Sequence, residues 1–226
     1  MYSLMLLNGG IGSRVAAGRP KQFIDVGGRP IIVYSLVAAD AVPEITQIVL
    51  NYPEGFREEI ERLVTDYAIQ TPVSYVPAGS SRHESVAAML PVCESDHVLI
   101  HESARPVVTA ADFKQLVADP HDNVSLMLPI PFTVAPVDPD TALVTGSLER
   151  DRLRNVQLPQ KFLKSDLADA HKQAADEHLV FTEDATLCAV TGHDVHFIDG
   201  QDTNLKVTTP TDVKLAGFLL GGDEDV

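Results

Sequence analysis

The residues best suited to chemistry lie near the start of the chain. Asn8-Gly9-Gly10-Ile11-Gly12-Ser13-Arg14 follows the apolar run Tyr2 to Leu7, and Pro20-Lys21-Gln22 comes soon after. A glycine-rich loop leaving a strand lets backbone N–H groups close on a polyanion, because no Cβ blocks the approach. Arg14 and Lys21 add two cations, so the loop is a candidate triphosphate site. Two better-known glycine loops do not fit. The dinucleotide fingerprint requires a third glycine where Val15 stands, and the G-x-x-x-x-G-K-[ST] loop is absent. A plain glycine turn with a solvated Arg and Lys fits these residues equally well.

Further polar groups fall at loop positions. His101-Glu102-Ser103-Ala104-Arg105-Pro106 follows an apolar strand. A carboxylate there suits Mg²⁺ held against phosphate oxygens, and a structural Glu102–Arg105 pair is an equal alternative. Gly79-Ser80-Ser81-Arg82, ending at Ser85, opens a helix whose free N–H groups suit a base or an anion. Ser81 also reads as an N-cap, with Glu84 completing a capping box. Lys206 precedes a closing helix, and Thr182-Glu183-Asp184-Ala185 reads as a cap. Arg150, Arg152 and Arg154 alternate, which on a strand would put three cations on one face.

The elements that must position these groups alternate strand and helix. Strands are expected over Tyr2 to Leu7, Ile45 to Leu50, Val73 to Val76, Val98 to Ile100, Val124 to Leu128 and Val195 to Ile198. Helices are expected over Pro30 to Ala39, Glu54 to Tyr67, Ser81 to Leu90, Ala111 to Ala118, Phe162 to Ala175 and Pro210 to Leu220. Such alternation implies an α/β domain with a mainly parallel sheet covered by helices on both faces. Ligands in such sheets sit beyond the carboxyl ends of the strands. The prolines from Pro129 to Pro159 break the rhythm and predict an excursion from the sheet, a β-arm with a turn near Asp138-Pro139-Asp140, packed on a second subunit.

At 226 residues the chain fits one domain. A net charge of −15 argues against nucleic acid or an anionic membrane as a partner, though not against nucleotides, which need only local cations. Cys93 and Cys188 lie among apolar neighbours and read as buried thiols. With no signal peptide or membrane-length run in view, a reducing cytoplasm is expected.

Taken in order, the motifs Gly9–Arg14, Pro20-Lys21-Gln22-Phe23, Gly79–Ser85, His101–Pro106, Pro159-Gln160-Lys161-Phe162, Thr182–Ala185 and Asn204-Leu205-Lys206-Val207-Thr208-Thr209-Pro210 resemble the 2-C-methyl-D-erythritol 4-phosphate cytidylyltransferases and the related ribitol-5-phosphate cytidylyltransferases. The resemblance spans nearly the whole chain. It implies a Rossmann-like nucleotidyltransferase fold over 1–226, with a dimerisation arm at 130–157 that reaches into a second copy's site. The implied reaction joins CTP to a polyol phosphate, with Mg²⁺, and releases pyrophosphate. By motif position, Arg14 and Lys21 match the catalytic pair. Asn8, Gly9, Gly10, Gly12, Gly79, Ser80 and Ser85 match the nucleotide site, and Glu102 the metal position. Arg105, Thr133, Arg150, Thr182 and Lys206 match the acceptor site, with Thr133 and Arg150 acting across the dimer.

Asn8, Glu102 and Leu158 depart from the family pattern. Ser103–Pro106 and Glu183–Thr186 lean toward the methylerythritol type, of isoprenoid biosynthesis. Gly9-Gly10 and Asn204–Lys206 lean toward the ribitol type. A sugar-1-phosphate nucleotidyltransferase and a non-catalytic nucleotide-binding homologue are the remaining alternatives.

Overall fold

The computed structural model describes residues 1–10 and 19–221. In it Tyr2–Leu7 forms strand β1, its last five side chains buried. A strand apolar on both faces belongs inside a sheet that is covered on both sides. Period-two alternation splits β1 between two cores: Leu4 and Leu6 join one, Met5 and Leu7 the other.

Along the chain follow a small hairpin of β2 (Asp25–Val26) and β3 (Arg29–Pro30), then α1 (Ile31–Asp40), β4 (Ile45–Tyr52), α2 (Arg57–Asp66), β5 (Val73–Pro77), α3 (Arg82–Met89), β6 (His97–Glu102) and α4 (Ala110–Ala118). Then come β7 (Val124–Pro129), the short hairpin β8 (Val137–Asp138) and β9 (Leu143–Val144), β10 (Arg154–Leu163), α5 (Lys164–Asp176), α6 (Asp184–Val190), β11 (His196–Asp199) and α7 (Pro210–Gly221). Leu36 of α1, Ile60 of α2 and Phe113 of α4 cover one face of the sheet. Val86 of α3, Leu167 of α5 and Leu187 of α6 cover the other.

The main sheet runs β11-β7-β10-β6-β1-β4-β5. β1 pairs parallel with β4 on one side and with β6 on the other. The chain thus winds outward through β4 and β5, then returns across β1 to β6. The order reverses between β1 and β6, and the crevice beyond their carboxyl ends is where such sheets bind ligands. Leu7 and Glu102 face each other there in register.

Two expectations fail in the same place. The helix expected from Phe162 begins only at Lys164, because Arg154–Leu163 is a tenth strand. β10 lies antiparallel between β6 and β7, in the middle of the sheet. Proline is excluded from such a strand unless it escapes the ladder. Here the register with β7 shifts between Val156 and Gln160, so Pro159 falls in the gap and no ladder bond is lost. The Leu158–Pro159 peptide is cis.

Where the arm was expected, β8 and β9 pair as a short antiparallel hairpin outside the main sheet. Its turn forms where Asp138 accepts bonds from the Asp140 and Thr141 N–H groups. Residues 154–157 of the 130–157 stretch are the start of β10. Arg150–Arg152 form a 3₁₀ turn, closed by the Arg152 and Leu153 N–H groups, so the three arginines do not share a strand face. Arg150 and Arg152 lie near Asp151 and Glu149, while Arg154 stacks over Phe197. Among the described residues, no helix is long and apolar enough to cross a membrane.

Candidate active site

Beyond the ends of β1 and β6 lies a cavity of about 620 Å³. The first wall follows β1. Asn8 is buried, and its carbonyl accepts a bond from Gln22 Nε2 at 2.7 Å. Its side-chain oxygen accepts from Ser103 Oγ at 2.6 Å, and its N–H donates to Asn51 Oδ1. Gly9 must be glycine for a packing reason: a Cβ there would lie 2.5 Å from Ala78 Cβ and 2.9 Å from Asn51 Nδ2. Gly10 meets no such obstacle and faces the cavity. Lys21, on a 3₁₀ turn (Lys21–Phe23), donates to the Val207 carbonyl at 2.7 Å. That bond draws the loop after β1 against the segment carrying Lys206. Arg14 and Gly12 lie outside the described residues.

The loop after β5 forms the rim. Ser81 caps α3 by accepting from the Glu84 N–H, as expected. The reciprocal arm of the capping box goes elsewhere: Glu84 Oε2 accepts from the Ser80 N–H at 2.8 Å and from the Ser80 hydroxyl at 2.6 Å. The Ser85 hydroxyl accepts from the Gly79 N–H at 3.0 Å and closes the loop. A Cβ on Gly79 would strike Glu84 Cβ at 2.7 Å, so this tight turn requires glycine.

The second wall follows β6 and is ionic. Glu102 Oε2 lies 2.7 Å from Lys206 Nζ and 3.8 Å from Arg105 Nε, and Oε1 lies 3.5 Å from Arg82 Nε. Burial would raise the Glu102 pKa, but Lys206, Arg82 and Arg105 outweigh it and hold the carboxyl below its ordinary value. Arg82 Nη1 lies 2.6 Å from Asp184 Oδ2, and Asp184 Oδ1 lies 3.1 Å from His171 Nε2. Asp184 is likewise held below the usual range: burial opposes the shift, while Arg82 and His171 drive it. His101 is fully buried, its ring edge-on to Phe113 and its Nε2 near the Arg105 carbonyl. Burial, with Arg105 adding to it, pushes its pKa down to about 3, so it is neutral.

The described residues thus bring Asn8, Gly9, Gly10, Lys21, Gly79, Ser80, Ser85, Glu102 and Lys206 to one cavity. Arg105 stands behind the wall, paired with Glu102 and donating to the Asn204 carbonyl at 2.9 Å. Thr133 and Arg150 are exposed on the arm, and Thr182 is exposed before α6; none of the three lines this cavity. Reading the sequence missed Arg82 as a wall residue and Asp184 as its anchor. Asp184 is hidden in a capping run whose actual cap is Glu183, which accepts from the Ala185 and Thr186 N–H groups. Gln22 and Asn51 were missed too, because neutral amides carry no pattern of their own. Among the described residues, no group of three or more His, Cys, Asp or Glu side chains could hold a metal. Among the described residues, Glu102 is the one carboxylate lining the cavity.

Known proteins are similar to this chain in fold and sequence over most of its length. The family model described as "IspD: 2-C-methyl-D-erythritol 4-phosphate cytidylyltransferase" matches residues 3–222. Curated proteins of that name from Bacillus pumilus and Halalkalibacterium halodurans are 33% and 35% identical to this chain, covering 98% and 99% of it and 98% of their own lengths. A 4-diphosphocytidyl-2C-methyl-D-erythritol synthase structure from Anaerococcus prevotii superposes with a TM-score of 0.85 over 97% of this chain and 96% of its own, at 24% identity. A 2-C-methyl-D-erythritol 4-phosphate cytidylyltransferase structure from Thermus thermophilus gives 0.77 over 97% and 99%, at 26% identity. The ordered motifs, the reversal of strand order at β1 and β6, and a match along almost the full length place this chain in the 2-C-methyl-D-erythritol 4-phosphate cytidylyltransferase family.

Proposed function

We propose that this chain joins the CMP part of CTP to 2-C-methyl-D-erythritol 4-phosphate and releases pyrophosphate, a step of isoprenoid biosynthesis. The observation that carries the reading is the meeting of Lys21 and Lys206, 185 residues apart in sequence, at one cavity beyond β1 and β6. Two polyanions must be held together there, and cations from both ends of the chain offset their repulsion.

In the reaction an oxygen of the acceptor phosphate attacks the α-phosphorus of CTP, and the bond to the β-phosphate oxygen breaks. Charge builds on the transferring group and on pyrophosphate, so catalysis rests on positioning and electrostatic stabilisation. Lys21 is assigned to the transferring phosphoryl group, with Arg14 as its companion. Gly9 and Gly10 present backbone to the triphosphate, while Gly79, Ser80 and Ser85 form the base-reading rim, with Asn8 beneath. Lys206 faces the acceptor phosphate from the ionic wall, with Arg105 behind it, and Thr182 is assigned to the acceptor by its motif position.

Mg²⁺ binds through one or two carboxylates plus substrate phosphates. Among the described residues Glu102 is the one carboxylate at the cavity, and Lys206, Arg82 and Arg105 already engage it, so a Mg²⁺ held there would take most of its shell from the nucleotide phosphates and water. When bound, it would neutralise charge across the phosphates.

A homodimer belongs to the same reading. Phe132 and Val144 on the arm are 76% and 69% exposed, and Val137 and Leu143 are exposed beside them. A two-stranded ribbon is marginal by itself, and an apolar exposed patch marks an interface. Thr133 and Arg150 are then carried to a second copy's cavity. A cytoplasmic site accords with two buried, unbridged cysteines.

Pyrophosphate release tests the reading, with CTP and Mg²⁺ against methylerythritol phosphate, ribitol 5-phosphate and a sugar 1-phosphate. Turnover with the first acceptor well above the others is expected. Preference for another acceptor, or none with any, overturns it.

A further inference from the structure

We propose that His171 is a positioning residue for the acceptor end of the cavity, acting through Asp184 and Arg82 on Glu102. The inference rests on the proposed reaction. It starts from a chain of contacts reaching from the helix layer to the cavity. His171 lies on the inner face of α5 with Leu167, Ala170 and Ala174, and it is buried. Its Nε2 is 3.1 Å from Asp184 Oδ1; Asp184 Oδ2 is 2.6 Å from Arg82 Nη1. Arg82 Nε is 3.5 Å from Glu102 Oε1, and Glu102 Oε2 is 2.7 Å from Lys206 Nζ. Arg82, Glu102 and Lys206 line the cavity, whereas Asp184 and His171 do not.

The geometry makes Arg82 a divided cation. Its tight contact is with Asp184, and its looser one is with Glu102. Released from Asp184, the guanidinium would turn fully onto Glu102, whose carboxylate would then have less charge to offer Lys206. Lys206 is the cation that faces the incoming phosphate, so a change at the far end of the chain reaches the substrate. A buried carboxylate has a fixed direction only when both oxygens are satisfied. The second oxygen of Asp184 is satisfied by His171, and the His83 ring packs against that imidazole, tilted by 34° with 4.2 Å between centroids. His171 therefore sets the aim of Asp184, and Asp184 sets the division of Arg82.

A merely structural pair would weaken folding and affect both substrates alike. A positioning role predicts a split between them. His171→Leu removes the bond to Asp184, and the acceptor KM should rise about tenfold while the CTP dissociation constant stays within about twofold. His171→Gln, which keeps a donor, should restore most of the acceptor KM. Should His171→Leu not fold, Asp184→Asn carries the same test, since it keeps the shape and removes the charge that holds Arg82; its acceptor KM should rise at least as much. Thermal unfolding of each variant shows how much is lost to stability alone. An equal change for both substrates overturns the inference, as does an unchanged acceptor KM beside a lowered melting temperature. Both leave the proposed reaction intact, because wild-type turnover is measured in the same assay. A wild type that releases no pyrophosphate overturns both.

Discussion

The two walls of the cavity are braced by opposite chemistry. After β1 the brace is neutral: Asn8 receives Gln22 and Ser103 and donates to Asn51, with no charge among the four. After β6 the brace is ionic: Glu102 stands among Lys206, Arg82 and Arg105, and Asp184 anchors Arg82 from behind. Neutral hydrogen bonds fix a loop without adding to the local field, so among the described residues a triphosphate there meets the backbone and Lys21. An ionic wall fixes geometry and field together. Three cations around one carboxylate leave surplus positive charge for an anionic acceptor in a protein whose net charge is −15. The first wall should therefore resist changes of pH, and the second should not.

The largest expected effect falls where the walls meet. Lys21 belongs to the neutral wall in sequence but bonds to Val207, beside Lys206. Lys21→Ala should lower kcat by about 10²- to 10³-fold, the loss typical of one transition-state donor. Pyrophosphate release checks it. Unchanged turnover would mean that Lys21 is not the cation that serves the transferring group.

Next comes the ionic wall. Glu102→Gln leaves Arg82, Arg105 and Lys206 facing one another without their shared carboxylate. Breaking a buried ion pair from one side costs about 3–5 kcal/mol. Lys206 is partly exposed and can turn to water, so a loss of about 2–3 kcal/mol in urea unfolding is expected. A loss under 1 kcal/mol would mean that the cluster is already relaxed by solvent.

Acid separates the walls by window. The folded pKa of His101 is depressed to about 3. Below an ordinary pKa of about 6.5 the unfolded chain takes up a proton that the folded one refuses, so stability falls as pH drops. Between pH 7 and pH 5 that amounts to about 2 kcal/mol. His101→Leu should flatten that part of the profile. Glu102 and Asp184 have depressed pKa values, so their contribution is complete above the ordinary carboxylate range and is lost only at lower pH, as protonation reaches their folded values. Two steps in the acid profile are therefore expected, the upper one tied to His101. An unaltered slope in His101→Leu would place the upper step elsewhere.

What could be read from residues alone follows the same division. The parallel half of the sheet was legible because each strand is a short apolar run bounded by turns, and β1, β4, β5, β6 and β7 fall where those runs do. Gly9, Gly10 and Lys21 were placed at the cavity by the rule that loops after strands carry the site, whereas Lys206 was marked only by its motif, since local reading set it simply before a helix. β10 was not, since Pro159 argues against a central strand and only the register slip at Val156–Gln160 lets it stay. Nor was the ionic anchor. Arg82 and Asp184 are 102 positions apart, and local periodicity carries nothing about a pair that forms only when α3 and α6 pack on the same face. The three arginines of the arm misled for the converse reason: alternation suggested a strand, while Glu149 and Asp151 close by allowed a tight turn with local pairing.

The smallest expected effect is the sharpest probe of the neutral wall. Asn8→Ala cuts the side chain back to its Cβ. It removes one acceptor of the Ser103 hydroxyl, which also donates to the Leu7 carbonyl, and a side-chain nitrogen that is buried without a partner among the described residues. The first loss costs about 1 kcal/mol and the second is a relief of similar size, so stability should barely move. The backbone bonds from Gln22 and to Asn51 persist, because they involve the Asn8 carbonyl and N–H rather than its side chain. The loop after β1 should keep its place, and the CTP dissociation constant should change by less than about threefold, measured by calorimetry at pH 7 and again at pH 5.5. A larger change, or one that grows with acid, would show that the side chain of Asn8 couples the nucleotide wall through Ser103 to its charged neighbour Glu102, and the two walls would then be one.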